Sequence, residues 1–138
     1  MNILIEAHYL PCIAYFAAIS GSEEVIIERH ENFTKQTYRN RCQLIGSQGR
    51  QVLTIPLSIP SGKCLITDVR IDYRQNWINN HWRTIQSAYG KAPFFEYYQD
   101  DLRKVFDERF NFLYDLNLTV LSLCLGWLKS NVTIKESL

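Results

Sequence analysis

Residues 2–29 read NILIEAHYLPCIAYFAAISGSEEVIIER, and this stretch decides the fold. Asn2 to Ala7 alternates and is β-prone, and Pro11 closes it, so a short strand runs into a turn over His8 to Cys12. Ile13, Phe16, Ala17 and Ile19 then fall at helical spacing, stopped by Ser20-Gly21-Ser22. Val25, Ile26 and Ile27, within Glu24 to Arg29, supply a second strand. Strand, helix and strand at this spacing make a βαβ unit whose two strands are expected to run parallel.

The chain changes character after this unit. Arg41 to Ile45, Gln51 to Leu57 and Leu65 to Ile71 read as three more strands, separated by Gly46-Ser47-Gln48-Gly49 and Pro60-Ser61-Gly62-Lys63, the first two as a hairpin. Beyond Tyr73 the period turns helical: Trp77, His81, Ile85 and Ala88 recur on one face, and Gly90 with Pro93 ends that helix. Phe94 to Phe110 and Phe112 to Leu128 read as two further helices, with Leu102, Val105, Phe106, Leu113, Leu116, Val120, Leu121 and Leu128 as core candidates. The fold class is therefore α/β: an N-terminal βαβ unit, further strands with a hairpin, then a C-terminal run of three helices. Residues 1–138 are expected to form one domain.

A chain of 138 residues is long enough to bury roughly two thirds of its unfolded surface. The longest apolar run, within Leu116 to Leu128, is broken by Asn117, Thr119, Ser122 and Gly126, too short and too polar to span a bilayer. Glu6 and His8 lie among the first ten residues with no basic flank, which is not a secretory signal, so the expectation is a cytoplasmic protein. Cys12, Cys42, Cys64 and Cys124 are 30, 22 and 60 positions apart, so no pair has metal-ligand spacing. No metal is expected, and no cofactor is indicated.

Charge is concentrated rather than spread. The net charge is +1, yet Asn32 to Thr67 holds Lys35, Arg39, Arg41, Arg50 and Lys63 with no acid. Within it, Lys35-Gln36-Thr37-Tyr38-Arg39-Asn40-Arg41 packs guanidinium forks and amides suited to phosphate or carboxylate. A solvated basic strand edge accounts for the same charges. The preceding residues carry five acids and one base, so opposite charge adjoins in sequence; this suits a polar cleft better than a nucleic-acid surface, which wants a net basic domain.

His81 lies among Asn76, Trp77, Asn80 and Trp82, and an imidazole near its ordinary pKa serves as acid or base. His8 and Tyr9 follow the first strand, at the carboxyl end where parallel sheets bind ligands, and Glu28 ends the second. The catalytic candidates are thus His81, His8 and Glu28, and the ligand-binding candidates Lys35, Tyr38, Arg39, Asn40, Arg41, Tyr9 and Asn76. One cleft is expected to hold His8, Glu28 and the Asn40 region, with His81 facing it. There is no glycine-rich phosphate loop, nucleophile elbow or His-Glu-x-x-His.

Several short motifs occur together: Tyr9-Leu10-Pro11 with Tyr15-Phe16, Tyr38-Arg39-Asn40-Arg41, Leu53-Thr54-Ile55-Pro56, Asn76-Trp77 with His81-Trp82 and Thr84-Ile85, and Ala88-Tyr89 with Ala92-Pro93-Phe94-Phe95. In this order and spacing, over Ala7 to about Tyr98, the chain resembles the WbqC-like family of bacterial proteins, and Phe95-Glu96-Tyr97-Tyr98 looks most like members from Bacteroidetes. Such members run on past the point where this chain stops at Leu138, so the resemblance implies a domain incomplete at its C-terminus. It also implies a transferase or transferase-like role in surface-polysaccharide (O-antigen) biosynthesis, with acyl or glycine transfer to a sugar. The partner would be a small anionic substrate, a sugar nucleotide or an acyl donor. The rival reading is a non-catalytic module that binds an anion or a protein. The opening strand, Pro turn and helix are also similar to nucleotidylyltransferases, but Cys12-Ile13-Ala14-Tyr15 lacks both histidines of that signature.

Overall fold

The computed structural model describes residues 2–46, 48–60, 62–93 and 95–138. Met1, Ser47, Ser61 and Phe94 lie outside the described residues, and with them parts of the two expected loops and the expected start of a helix at Phe94.

β1 (Asn2–Ile5) and β2 (Glu24–Ile27) pair in parallel, Asn2 opposite Glu24 and Ile5 opposite Ile27. α1 (Ile13–Ile19) makes the crossover. It buries Tyr15 and Ile19, one helical turn apart, in the same core cluster as Val25 and Ile27 of β2. Pro11 fixes the approach to the helix, and the Cys12 carbonyl accepts the N–H groups of Tyr15 and Phe16.

β3 (Arg41–Gly46) and β4 (Gly49–Thr54) form an antiparallel hairpin closed at Gly46 opposite Gly49. Gly49 sits at φ 103°, a left-handed conformation that suits a residue without Cβ. β4 stops at Thr54 because Pro56 has no N–H to donate. The chain resumes as β5 (Leu57–Ser58), paired antiparallel with β6 (Arg70–Ile71). The strand expected over 51–57 is thus split. The one expected over 65–71 is instead a 3₁₀ turn, Ile66–Asp68, followed by β6. Its buried residues Ile66, Val69 and Ile71 are spaced three and then two apart, one turn and then one alternation.

α2 (Trp77–Tyr89), α3 (Phe95–Asp107) and α4 (Leu113–Trp127) form the C-terminal helical run. α4 buries Leu113, Leu116, Val120, Leu121 and Leu125 along one side, each such side chain contributing about 1.5–3 kcal/mol, whereas Leu128, expected in the core, follows the helix end and is exposed. Sequence reading left the tail unassigned, but it forms β7 (Thr133–Glu136), parallel to β2 on the side away from β1. The molecule is an α/β protein whose buried side chains join in one cluster.

Candidate functional site beside the carboxyl end of the first strand

Beyond β1 the chain stays extended and alternates: Ala7 and Tyr9 point into the core, Glu6 and His8 away from it. The His8 Nε2 lies 3.0 Å from Glu6 Oε1, with 16% of the His8 side chain exposed. The His8 ring packs against Tyr15 at 4.8 Å between centroids and Tyr38 at 5.9 Å. Tyr15 donates its hydroxyl to the Glu6 carbonyl at 2.8 Å, fixing the backbone of the pair. Partial burial pushes the Glu6 carboxyl up, but its own N–H, the His8 hydrogen bond and the charges of His8 and Arg39 outweigh this and hold it below the usual range.

The basic stretch folds against this turn, since the Tyr9 N–H donates to the Tyr38 carbonyl at 3.0 Å. Its side chains then diverge. Arg39 turns to Glu31 and binds it through Nε, each side chain only 17% exposed. Asn40 is buried and donates Nδ2 to the Ile55 carbonyl at 3.0 Å. Asn117 of α4 donates to the Arg39 carbonyl at 2.8 Å. Arg41, at the start of β3, lines a cavity of about 220 Å³ together with Gln36, Thr37, Tyr38, Gln43 and Val52, and its Nε is buried without a hydrogen-bond partner. Lys35 is exposed. The stretch is therefore not a single clamp: Arg39 is committed to Glu31, while Arg41 remains available.

Three expectations are corrected. Tyr9 is fully buried and cannot contact a ligand. His81 does not face a cleft: it is 4% exposed and held between Tyr9 and the Thr54 carbonyl, and burial drives its pKa down to about 4 against the pull of that carbonyl. Glu28 does not join His8. Its carboxylate accepts the His30 N–H at 2.7 Å and the Ser137 hydroxyl at 3.1 Å, toward β7, and the His30 hydrogen bond foremost holds it below the usual range. Asn76 is exposed just before α2 and makes no side-chain capping bond.

Sequence reading missed Glu6 and Glu31 as partners. Glu6 was within reach, because residues two apart on an extended segment share a face. Glu31 gives no such signal, because only the path of the loop brings it to Arg39, eight positions on.

A larger cavity, of about 830 Å³, opens where α1 meets the end of α4 and the amino ends of β2 and β7. Among the described residues no cation lines it, and His8 follows the opposite end of β1. Among the described residues no group of three or more His, Cys, Asp or Glu side chains could hold a metal ion, and no helix is long and apolar enough to cross a membrane.

The WbqC-like protein family matches residues 6–138. The uncharacterized protein Rv1507c of Mycobacterium tuberculosis (strain ATCC 25618 / H37Rv) is 28% identical over 137 residues, covering 97% of this chain and 58% of that protein. The chain thus spans little more than half of that relative's length. No solved structure matches.

Proposed function

Given that this chain belongs to the WbqC-like protein family, we propose that it is a transferase-like protein of surface-polysaccharide biosynthesis, moving an acyl group such as glycyl onto a sugar, with His8 as general base. The observation that carries the reading is the His8–Glu6 contact of 3.0 Å, set across the Tyr38 ring from the Arg41 cavity. With Nε2 engaged by Glu6, Nδ1 is the ring nitrogen left to take a proton from an acceptor hydroxyl or amine. The freed oxygen or nitrogen attacks the acyl carbon, the bond to the donor's leaving group breaks, and that group carries away the electron pair. Glu6 holds the ring and stabilises the imidazolium as it forms, as a carboxylate does behind a catalytic imidazole elsewhere. Arg41 draws in the anionic substrate.

The test is turnover with a panel of acyl donors and nucleotide sugars. His8→Gln is expected to lower kcat by about 10²-fold or more while substrate binding persists, and Glu6→Gln to lower it less. Turnover unchanged in His8→Gln removes His8 from the reaction. A binding module is the second reading, favoured by Ile45 and Val52, 78% and 53% exposed on the hairpin face that carries Arg41. It predicts ligand capture without turnover in the same panel.

A further inference from the structure

Arg41 carries a charge that the fold leaves unanswered. Its Nε is sealed from solvent and has no hydrogen-bond partner, and a guanidinium cannot shed a proton to escape that cost. A buried donor without an acceptor forfeits its hydration with nothing in return. The carboxylates beside the basic stretch and His8 are engaged elsewhere, Glu31 by Arg39 and Glu6 by His8. Among the described residues Arg41 enters no ion pair, and the whole span from Asn32 to Thr67 has no acid to offer.

The cavity that Arg41 lines has fixed walls. Arg41 and Gln43 are two apart on β3 and share its outward face, with Val52 of β4 directly opposite Gln43. The loop over Gln36 to Tyr38 borders this face. It is held by the Thr37 hydroxyl donating to the Thr34 carbonyl at 2.8 Å and by the Tyr9 N–H on the Tyr38 carbonyl. Gln36 sits at φ 59°, a left-handed conformation that a glutamine rarely adopts and that clusters at ligand-binding segments. At about 220 Å³ the space is smaller than pockets that enclose a drug-sized ligand, roughly 300–1,000 Å³. It accepts an end group, not a whole substrate.

We infer that the Arg41 cavity is a recessed site for a single oxyanion, the terminal carboxylate or phosphate of a ligand whose body lies across Tyr38 toward His8. The Nε–H and one Nη–H of a guanidinium present two parallel donors, the spacing that an oxyanion takes in a bidentate pair. The amides of Gln36 and Gln43 line the same space, with the Val52 side chain as its apolar wall. Tyr38, half exposed, offers its ring face to the part of the ligand that follows. The inference rests on the anion-holding half of the proposed function and assigns it to Arg41 rather than Arg39.

The experiment titrates the intact chain with inorganic phosphate in one arm and acetate in the other, following by NMR the arginine Nε–H resonances and the side-chain amides of Gln36 and Gln43, which report binding also in a variant that lacks Arg41. A saturable shift of the Arg41 Nε–H is expected, with the Arg39 Nε–H unmoved. Saturation by phosphate alone names a phosphate ligand, and saturation by acetate alone names a carboxylate. Arg41→Lys keeps the charge and removes the fork, and is expected to weaken binding by roughly tenfold; Lys35→Gln should change it by less than about twofold. Val52→Phe fills the cavity from an exposed position without touching Arg41 and should abolish the shift. His8→Gln should bind the anion normally, so failure of the catalytic reading and failure of this one are separable. No saturable shift with either probe overturns the inference, as does equal binding by Arg41→Lys or Val52→Phe.

Discussion

The Tyr9 hydroxyl meets the Nδ1 of His81 at 2.8 Å inside the core, while the Nε2 of the same ring meets the Thr54 carbonyl at 3.1 Å. A carbonyl oxygen only accepts, so Nε2 carries the ring proton and the Tyr9 hydroxyl donates to Nδ1. One neutral imidazole thus joins the turn after β1, the end of β4 and the first half of α2. The turn it holds presents His8, and the Tyr9 main chain ties Tyr38 in place. His81 acts on the site by positioning it.

This clamp makes the fold acid-sensitive. The folded pKa of His81, about 4, lies below its ordinary 6.5, so the unfolded chain binds the extra proton between these values. The contribution is fully present above pH 6.5 and is lost as pH falls toward 4, amounting at most to about 3 kcal/mol. Tyr9 and Cys42 pack there too, but burial pushes both upward, Cys42 to about 12, so they stay neutral throughout. Urea midpoints measured from pH 7 to pH 4.5 should fall for the wild type and stay flatter for His81→Gln, which should also be less stable at pH 7 by about 1–3 kcal/mol. Parallel curves would count against His81 as the sensitive group.

The Arg39–Glu31 pair is structural, and its loss should register as stability rather than as anion affinity. Both side chains are only 17% exposed, and the Arg39 carbonyl also receives Asn117. Removing either partner leaves the other charge poorly solvated, a loss of about 1–3 kcal/mol for each single variant after allowance for its residual exposure. A double-mutant cycle of Arg39→Ala and Glu31→Ala should show clear coupling in chemical denaturation. A coupling near zero would mean the pair is ornamental.

The parallel pair, the hairpin and the helical run were legible because each rests on local pattern: alternation at Val25 and Ile27, glycines at the hairpin turn, and apolar residues three or four apart in α4. β7 was not legible. Thr133 to Glu136 is short and half polar, and only the non-local pairing with β2 makes it a strand. The site divided in the same way. Residue chemistry brought out the Arg39 to Arg41 cluster and His8, but spacing does not say which guanidinium the fold will neutralise. That depends on Glu31 arriving from a loop. His81 looked like site chemistry because its polar neighbours Asn76, Asn80 and Thr84 share the helix, while the groups it bonds lie 72 and 27 positions away.

Glu28 should prove to be a strap on β7. It receives the His30 N–H and the Ser137 hydroxyl, and the Ser137 Oγ in turn accepts the Arg29 N–H at 3.1 Å. Because hydrogen bonding depresses its carboxyl, the support exists above the ordinary carboxylate range and is lost as pH falls through the folded value. Glu28→Ala should speed amide exchange at Arg29 and Ser137 at neutral pH and leave the phosphate or acetate titration at Arg41 unchanged. Unaltered exchange at both amides would release β7 from this dependence.

Two left-handed residues at helix ends give a matched test of backbone strain. Lys129 lies at φ 54° after α4, where its N–H reaches the Gly126 carbonyl and the Ser130 N–H reaches Leu125, the paired bonds of a helix end that favours glycine. Arg109 lies at φ 53° after α3. A non-glycine residue there costs about 1–2 kcal/mol, and replacement by glycine recovers this less about 0.5–1 kcal/mol of backbone entropy. Lys129 makes no ion pair among the described residues, so Lys129→Gly should stabilise by about 0.5–1 kcal/mol and raise Tm by roughly 2–5 °C. Arg109 differs because its guanidinium stands 4.4 Å over the Tyr73 ring, a contact of about 0.5–1 kcal/mol. Arg109→Gly should therefore leave Tm nearly unchanged. Calorimetry on the two variants decides it: an equal rise in both would deny the Arg109–Tyr73 contact any stabilising role, and a fall in Lys129→Gly would show that the helix end is not strained.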